Sequence, residues 1–79
     1  MKSEKLKVWP NPFIQSTIVK FEDSRLQIEG CEILVYDMGG RLVEETKTGI
    51  VGKNLLPGIY FVKVPGYGHT RIIKIGRRK

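Results

Sequence analysis

The sequence predicts an all-β domain, a sandwich of two antiparallel sheets built from six or seven short strands. No segment shows the sustained apolar period of 3.6 residues that an amphipathic helix would have. Instead, short runs of β-branched and aromatic residues are separated by glycine, proline and polar residues, which is typical of sandwiches and barrels. The length of 79 residues is that of one small domain with a thin core.

The first strands are separated by a clear break. Leu6 and Val8 mark a short first strand, and residues 10–12 (Pro-Asn-Pro) end it as a stiff, extended turn, because proline fixes φ and has no N–H. The second strand covers residues 17–21, and alternate residues of it share one face: Thr17, Val19 and Phe21.

The middle of the chain predicts a connection followed by a hairpin. The charged connection contains Leu26 and Ile28, which are expected to form a short edge segment. Residues 31–36 carry apolar side chains on both faces, which is typical of a central strand. Residues 37–40 (Asp-Met-Gly-Gly) predict a tight turn. The charges of residues 41–47 predict a returning edge strand.

The last third of the chain predicts a loop and two strands. Residues 49–57 are expected to be a loop anchored by Leu55 and Leu56. Residues 58–64 form a strong strand pattern, with three residues on one face: Tyr60, Val62 and Val64.

The final strand is predicted at residues 70–75, after a turn at residues 65–68, with Ile73 and Ile75 on one face. The expected domain limits are a disordered lead at residues 1–5, the sandwich at residues 6–76 and a frayed basic tail at residues 77–79.

The net charge of +6 is unevenly distributed along the chain. Residues 1–45 hold six Lys/Arg and all eight acids, whereas residues 46–79 hold eight Lys/Arg and no acid. This asymmetry indicates either an acidic partner or surface for the second half or the ordinary solubility of its strands and tail. A nucleic-acid site would draw on a weak basic and aromatic patch: Lys63, Arg71, Lys74 and Tyr67. We expect no nucleic-acid partner.

No apolar run approaches the length of a transmembrane helix. The polar and basic residues 1–7 are not followed by an apolar stretch, so they do not predict a signal peptide. If the protein is exported, its export signal is expected on a longer parent chain.

The sequence predicts no enzyme, cofactor or metal site. Cys31 is the single cysteine and is expected to act as a small apolar strand residue, and His69 is the single histidine and lies by a predicted turn. The adjacent acids at residues 22–23 and 44–45 point to opposite faces of a strand, so neither pair forms an acid/base couple. Both pairs are read as solvated.

Three motifs occur in order. The first is Val-Trp-Pro-Asn-Pro-Phe at residues 8–13, and the second is Ile-Leu-Val-Tyr-Asp-Met-Gly-Gly-Arg-Leu-Val at residues 33–43. The third is Leu-Pro-Gly-Ile-Tyr-Phe-Val-Lys-Val at residues 56–64, followed by Ile-Ile-Lys-Ile at residues 72–75. Together they resemble the type A C-terminal sorting domain of the type IX secretion system, found in Bacteroidetes. The resemblance covers nearly the whole chain.

This resemblance implies an immunoglobulin-like β-sandwich that follows an N-terminal cargo in a larger exported protein. It also implies two partners: an outer-membrane translocon that reads the domain and a sortase-like peptidase that removes it. The protein would then pass from the periplasm to the outer membrane, the cell surface or the medium. The domain would be an address label and not a catalyst.

The resemblance further implies which positions mark the signal. The proline triplet marks the start of the domain, the middle hairpin and the strand near the C-terminus follow, and an exposed basic end is the surface for direct recognition. The positions are Pro10, Asn11, Pro12, Asp37, Gly40, Arg41, Gly58, Tyr60, Lys74, Arg77, Arg78 and Lys79. Outside the basic end a structural role is favoured, and at Tyr60 we expect a packed ring with its hydroxyl bonded to the backbone.

Two other functions are compatible with the sequence. One is an immunoglobulin-like structural or adhesive module, similar to the domain of flagellar hook-capping proteins. The other is a binder of acidic ligands or nucleic acid, whose affinity would fall steeply with salt. Exposed edge strands also allow a dimer formed by edge pairing.

Overall fold

Seven strands in two sheets make up the part of the chain described by the computed structural model, residues 5–23 and 25–76. The strands are β1 (Leu6–Trp9), β2 (Thr17–Phe21), β3 (Ile33–Asp37), β4 (Leu42–Thr46), β5 (Ile50–Val51), β6 (Gly58–Val64) and β7 (Gly68–Lys74). One sheet has the order β1-β2-β5 and the other β4-β3-β6-β7, and all neighbouring strands are antiparallel. The prediction of a small all-β sandwich is confirmed. None of these residues lies in a helix long and apolar enough to cross a membrane.

The core lies between the two sheets and follows the alternation in the sequence. β2 buries every second residue, as predicted, and β6 does the same. β3 pairs with strands on both sides, which confirms that it is central, and β4 is an edge strand as predicted. Two buried side chains come from connections and not from strands, Phe13 and Ile28. The predicted edge segment around Ile28 does not form, although Ile28 fills the core.

The core-facing side of β7 is the one that carries Ile72. Ile72 is fully buried, whereas Ile73 is half-buried and Ile75 is exposed. The register with β6 explains this, because Ile72 lies opposite Tyr60 and directly opposed residues share a face. Since Tyr60 faces the core, Ile72 must do so too. The strand also begins earlier than predicted, at Gly68, so His69 lies within it.

The predicted loop at residues 49–57 contains a strand. Ile50 and Val51 pair with β2, and Val51 is fully buried. Leu55 packs against the core as predicted, but Leu56 is 78% exposed and its side chain does not pack there. The prediction for Leu56 was wrong because an apolar residue next to a turn can remain in solvent at little cost.

Cys31 lies before β3 and not within it, because the strand begins at Ile33. The thiol is half-buried, contacts the core, and lies 3.7 Å from the carbonyl of Gln27. It therefore still acts as a small packing residue.

The sandwich is elongated, with extents of 43 × 24 × 18 Å, and its two ends differ. At one end Leu6 pairs with Phe21, whose ring lies 4.7 Å from that of Tyr67 in the β6–β7 turn. At the other end Gly58 pairs with Lys74. The start of β1 and the end of β7 therefore lie at opposite ends of the molecule.

Candidate functional site

The proline triplet and the end of β7 form one hydrogen-bonded unit. The side-chain amide of Asn11 donates to the carbonyl of Arg71 at 3.1 Å, and its oxygen accepts the N–H of Ile73 at 3.0 Å. The amide thus pairs with the free edge of β7 as a neighbouring strand would. No pattern in the sequence predicts this contact between residues about 60 positions apart.

Phe13 continues this unit with its backbone. Its N–H donates to the carbonyl of Ile73 at 2.9 Å, and its carbonyl accepts the N–H of Ile75 at 2.8 Å. This is a parallel bridge to β7, and the ring of Phe13 is 1% exposed. Phe13 therefore covers the edge of β7 with its backbone and fills the core with its ring.

Lys74 is not part of an exposed basic end, contrary to the prediction. It is half-buried, and its ammonium group donates to the carbonyls of Gly52 at 2.6 Å and Lys53 at 3.3 Å. The same nitrogen lies 5.9 Å from the centre of the Phe13 ring, within cation–π range. The charge of Lys74 thus interacts with backbone carbonyls and an aromatic ring of the same chain. The other predicted basic residues, Arg77, Arg78 and Lys79, lie outside the described residues.

Gly52 and Glu44 complete this unit, and sequence analysis missed both. The N–H of Gly52 donates to the two carboxylate oxygens of Glu44 at 3.1 and 3.3 Å, so Glu44 is not simply solvated. Gly52 has φ of +93°, and a Cβ there would lie 2.4 Å from the Phe13 ring. No local signal marks either residue, because their importance depends on where Phe13 is placed.

Asp37, Gly40 and Arg41 form the predicted hairpin turn. Asp37 Oδ1 accepts the N–H groups of Gly39 at 2.9 Å and Arg41 at 3.0 Å, and Gly40 has φ of +86°. The pKa of the Asp37 carboxyl is lowered, chiefly by the N–H of Arg41, with smaller help from Gly39 and the guanidinium charge, against an opposing effect of desolvation. Asp37 thus orders the turn, while the side chain of Arg41 is 82% exposed.

Tyr60 has the predicted geometry. Its ring is buried, and its hydroxyl donates to the carbonyl of Leu56 at 2.6 Å. A Cβ added at Gly58 would lie 3.7 Å from this ring, which is an ordinary van der Waals distance. The pair fixes how the chain enters β6.

The predicted positions that the structure describes lie at one end of the four-stranded sheet. Asp37 pairs with Tyr60 and Gly58 pairs with Lys74, and the proline triplet joins β7 at the same place. We call this the junction end, and it comprises residues 10–13, 37–41, 58–60 and 73–75. The sequence separates these segments widely, and the antiparallel order of the strands brings them together.

The carboxylates form one pair that the sequence did not predict. Glu45 of β4 meets Glu32, the residue before β3, and the pKa of Glu45 is raised by a side-chain hydrogen bond with Glu32 and by repulsion between the two charges. Both side chains are exposed. Within the described residues, no three His, Cys, Asp or Glu side chains come together as metal ligands would.

Comparison with known protein families identifies a match. A family model described as a secretion system C-terminal sorting domain matches residues 7–75. No curated protein and no solved structure matches the chain significantly. The matched region runs from β1 to one residue beyond β7 and contains the described positions of the junction end.

Proposed function

The chain belongs to the family of secretion system C-terminal sorting domains, and we propose that the secretion machinery reads the folded junction end of its sandwich. The domain is a sorting signal of the type IX system, and it is recognised by that machinery. The protein is exported through the envelope to the cell surface or the medium. Membership in the family does not specify which part of the fold the secretion machinery recognises.

The junction of Asn11 and Phe13 with β7 carries this proposal. Four hydrogen bonds join the segment after β1 to the end of the last strand. A linear C-terminal peptide could be read without them. Because they fix the path of β7 at the point where it leaves the sheet, they support recognition of a folded end.

The partners at this end are, on our proposal, the outer-membrane translocon and a sortase-like peptidase. The translocon binds the junction end, and the peptidase separates the domain from an N-terminal cargo. The functional unit is residues 6–76, preceded by a lead at residues 1–5 and followed by the basic tail at residues 77–79. The acid-free second half supports an acidic partner surface. The domain itself performs no catalysis.

A reporter fusion tests where the signal lies. Residues 6–79 are fused behind a periplasmic reporter in a cell with a type IX system, and surface and periplasmic reporter are measured. Asn11→Ala should move reporter from the surface to the periplasm, because the junction loses two hydrogen bonds. Asn54→Ala changes an exposed asparagine in the loop before β6 and serves as the matched control.

Removal of residues 75–79 should also abolish export. If the truncated fusion reaches the surface normally, the junction end is not the signal. If the unaltered fusion stays in the periplasm, this chain lacks sorting activity altogether. Circular dichroism of each purified variant separates loss of recognition from loss of fold.

A further inference from the structure

Four exposed aliphatic side chains surround the junction end of the sandwich. They come from four separate segments of the chain: Ile14, Met38, Leu56 and Ile75. Their exposed fractions are 51%, 65%, 78% and 49%, respectively. A group of large apolar side chains left uncovered at one place marks a contact site for a protein or a membrane. We call these four side chains the apolar tips.

Contacts between the four segments bring the apolar tips to the same end. Ile75 donates its N–H to the carbonyl of Phe13, the residue before Ile14, at 2.8 Å. A Cβ added at the residue after Ile75 would lie 3.3 Å from the proline that follows Leu56. Met38 follows the last residue of β3, which pairs with the tyrosine whose hydroxyl donates to the carbonyl of Leu56.

Most acids of the domain lie away from the apolar tips. The strand register and the contacts of the connections place five acids toward the other end of the sandwich: Glu22, Asp23, Glu29, Glu32 and Glu45. The remaining two acids of the described residues accept backbone N–H groups, Asp37 in its hairpin turn and Glu44 at Gly52. Both acids near the tips are thus occupied within the domain.

Cations near the apolar tips remain available to a partner. The side chain of Arg41 is 82% exposed, although its guanidinium also lies 3.4 Å from Asp37. Lys53 is exposed, forms no ion pair with another described residue, and lies beside the end of β7 because its carbonyl accepts from Lys74. The sequence continues beyond β7 with three cations at residues 77–79. This end therefore combines apolar side chains with positive charge.

We propose that the apolar tips bind to an anionic membrane surface. The tips enter the boundary between headgroups and acyl chains, while Arg41, Lys53 and the basic tail contact lipid phosphates. Protein interfaces centre on aromatic anchors, whereas the four tips are all aliphatic. A fluid lipid surface accommodates separate aliphatic side chains without a matching pocket. Because the protein is exported through the envelope, it meets such a surface.

This contact goes beyond the recognition proposed above, because it requires no component of the secretion machinery. It would hold the domain with its junction end toward the membrane, so that the domain reaches an outer-membrane translocon by moving along the surface. Binding to vesicles and export of the reporter are separate measurements, and either proposal can fail without the other.

Sedimentation with lipid vesicles tests the proposal. The full chain is mixed with vesicles of phosphatidylethanolamine and phosphatidylglycerol, or with vesicles of phosphatidylcholine alone, and the bound fraction is measured against lipid concentration. The anionic vesicles should bind the chain in a saturable way, and the neutral vesicles should bind it at least about tenfold more weakly. Added salt should weaken the binding to anionic vesicles.

Substitutions at two tips test the apolar contact. Leu56→Ser and Met38→Ser should each weaken vesicle binding by about tenfold, because each removes a large apolar side chain from the lipid contact. Leu26→Ser is the matched control, because Leu26 is 41% exposed in the connection at the other end of the sandwich. It should change the binding by less than about twofold. Circular dichroism confirms that each variant is folded.

Two lysines of different position test the charge contact. Lys53→Glu should weaken binding to anionic vesicles by about fivefold or more. Lys63→Glu is the matched control, because exposed Lys63 lies roughly 17 Å along β6 from Gly58, which exceeds the screening length of about 8–10 Å in physiological salt. Removal of residues 77–79 should weaken the binding further, because it takes away three cations.

Several results would overturn the proposal. These are no binding to anionic vesicles, equal binding to neutral vesicles, and equal weakening by Leu26→Ser and Leu56→Ser. Binding to soluble polyphosphate that requires Lys53, without binding to vesicles, would assign the cations to a soluble anion. Self-association in sedimentation equilibrium that Leu56→Ser abolishes, again without binding to vesicles, would assign the tips to a second copy of the chain.

Discussion

Asn11 accepts the backbone N–H of Ile73 at 3.0 Å across 62 residues of sequence. The same side chain donates to Arg71, so one amide satisfies two backbone groups on the free edge of β7. This relationship links the proline triplet of the first motif to the last strand.

Replacement of Asn11 by alanine should destabilise the domain by about 1–2 kcal/mol, because two partly solvated hydrogen bonds are lost. Urea unfolding followed by circular dichroism measures this change. Asn54→Ala, at an exposed loop position, should change the free energy of unfolding by less than about 0.5 kcal/mol. Equal effects of the two variants would mean that the Asn11 contacts do not contribute to stability.

Gly52→Ala should cost about 2–4 kcal/mol, because the new Cβ meets the Phe13 ring at 2.4 Å and φ is +93°. Gly66→Ala is the matched control, because Gly66 has φ of +86° but nothing within 4 Å of an added Cβ. It should lower the free energy of unfolding by about 1 kcal/mol, which is the penalty of positive φ alone. In a double-mutant cycle, Phe13→Leu should relieve part of the Gly52→Ala effect. Strict additivity would contradict the predicted clash.

Tyr60→Phe should destabilise the domain by about 1–2 kcal/mol, because the carbonyl of Leu56 loses its donor at 2.6 Å while the ring packing is retained. Tyr36→Phe removes a hydroxyl from a half-buried ring for which no hydrogen bond is seen among the described residues, and it should be nearly neutral. Thermal unfolding of the two variants gives the comparison. A neutral Tyr60→Phe variant would show that water replaces the lost donor.

The lowered pKa of Asp37 predicts that the domain loses stability in acid. Its pKa in the folded state is lowered from the ordinary value of 3.8, so ionised Asp37 stabilises the fold above that value. This contribution is lost as the pH falls below 3.8 through the folded pKa. Asp37→Asn should therefore be less stable than the unaltered protein at pH 7, and the gap should narrow below pH 3.8. A gap that stays constant with pH would contradict the assignment, and Glu22→Gln provides the control for a general charge effect.

The raised pKa of Glu45 predicts the opposite dependence of stability on pH. Its pKa is raised above the ordinary value of 4.5 by Glu32, so its contribution to stability is present below that value and is lost as the pH rises through the folded pKa. Glu45→Gln should thus raise the urea midpoint at pH 7 and change it little at pH 3.5. Glu29→Gln, at another exposed glutamate, is the control for the removal of one negative charge. A destabilised Glu45→Gln variant at pH 7 would contradict the raised pKa of Glu45.

Local patterns predicted the fold where alternation is unambiguous. In β2 the apolar residues occupy one face, and Thr17, Val19 and Phe21 are buried as expected. In β7 both faces carry isoleucine, so the pattern alone does not show which face is buried. The register places Ile72 opposite the buried Tyr60, and Ile72 is therefore the residue that faces the core. β5 has only two residues and is a strand because β2 pairs with it.

The junction end could be predicted only in part. The family motifs named Asn11 and Lys74 but not their contacts, because no local period relates positions 60 residues apart. No local sequence pattern marks Gly52 or Glu44, because their roles depend on where the Phe13 ring lies in the folded domain. The charge of Lys74 suggested exposure, and the structure uses that charge to hold the carbonyl of Gly52.

Because Asn11 and Phe13 find their edge partners only on β7, the junction cannot form in a chain that stops before that strand. A ribosome must translate the domain almost to its end before the first motif acquires its bound geometry. Prematurely terminated chains would lack the junction even though they contain the proline triplet. If the junction end is the signal, as we propose, a chain that ends before β7 carries the first motif but not the signal.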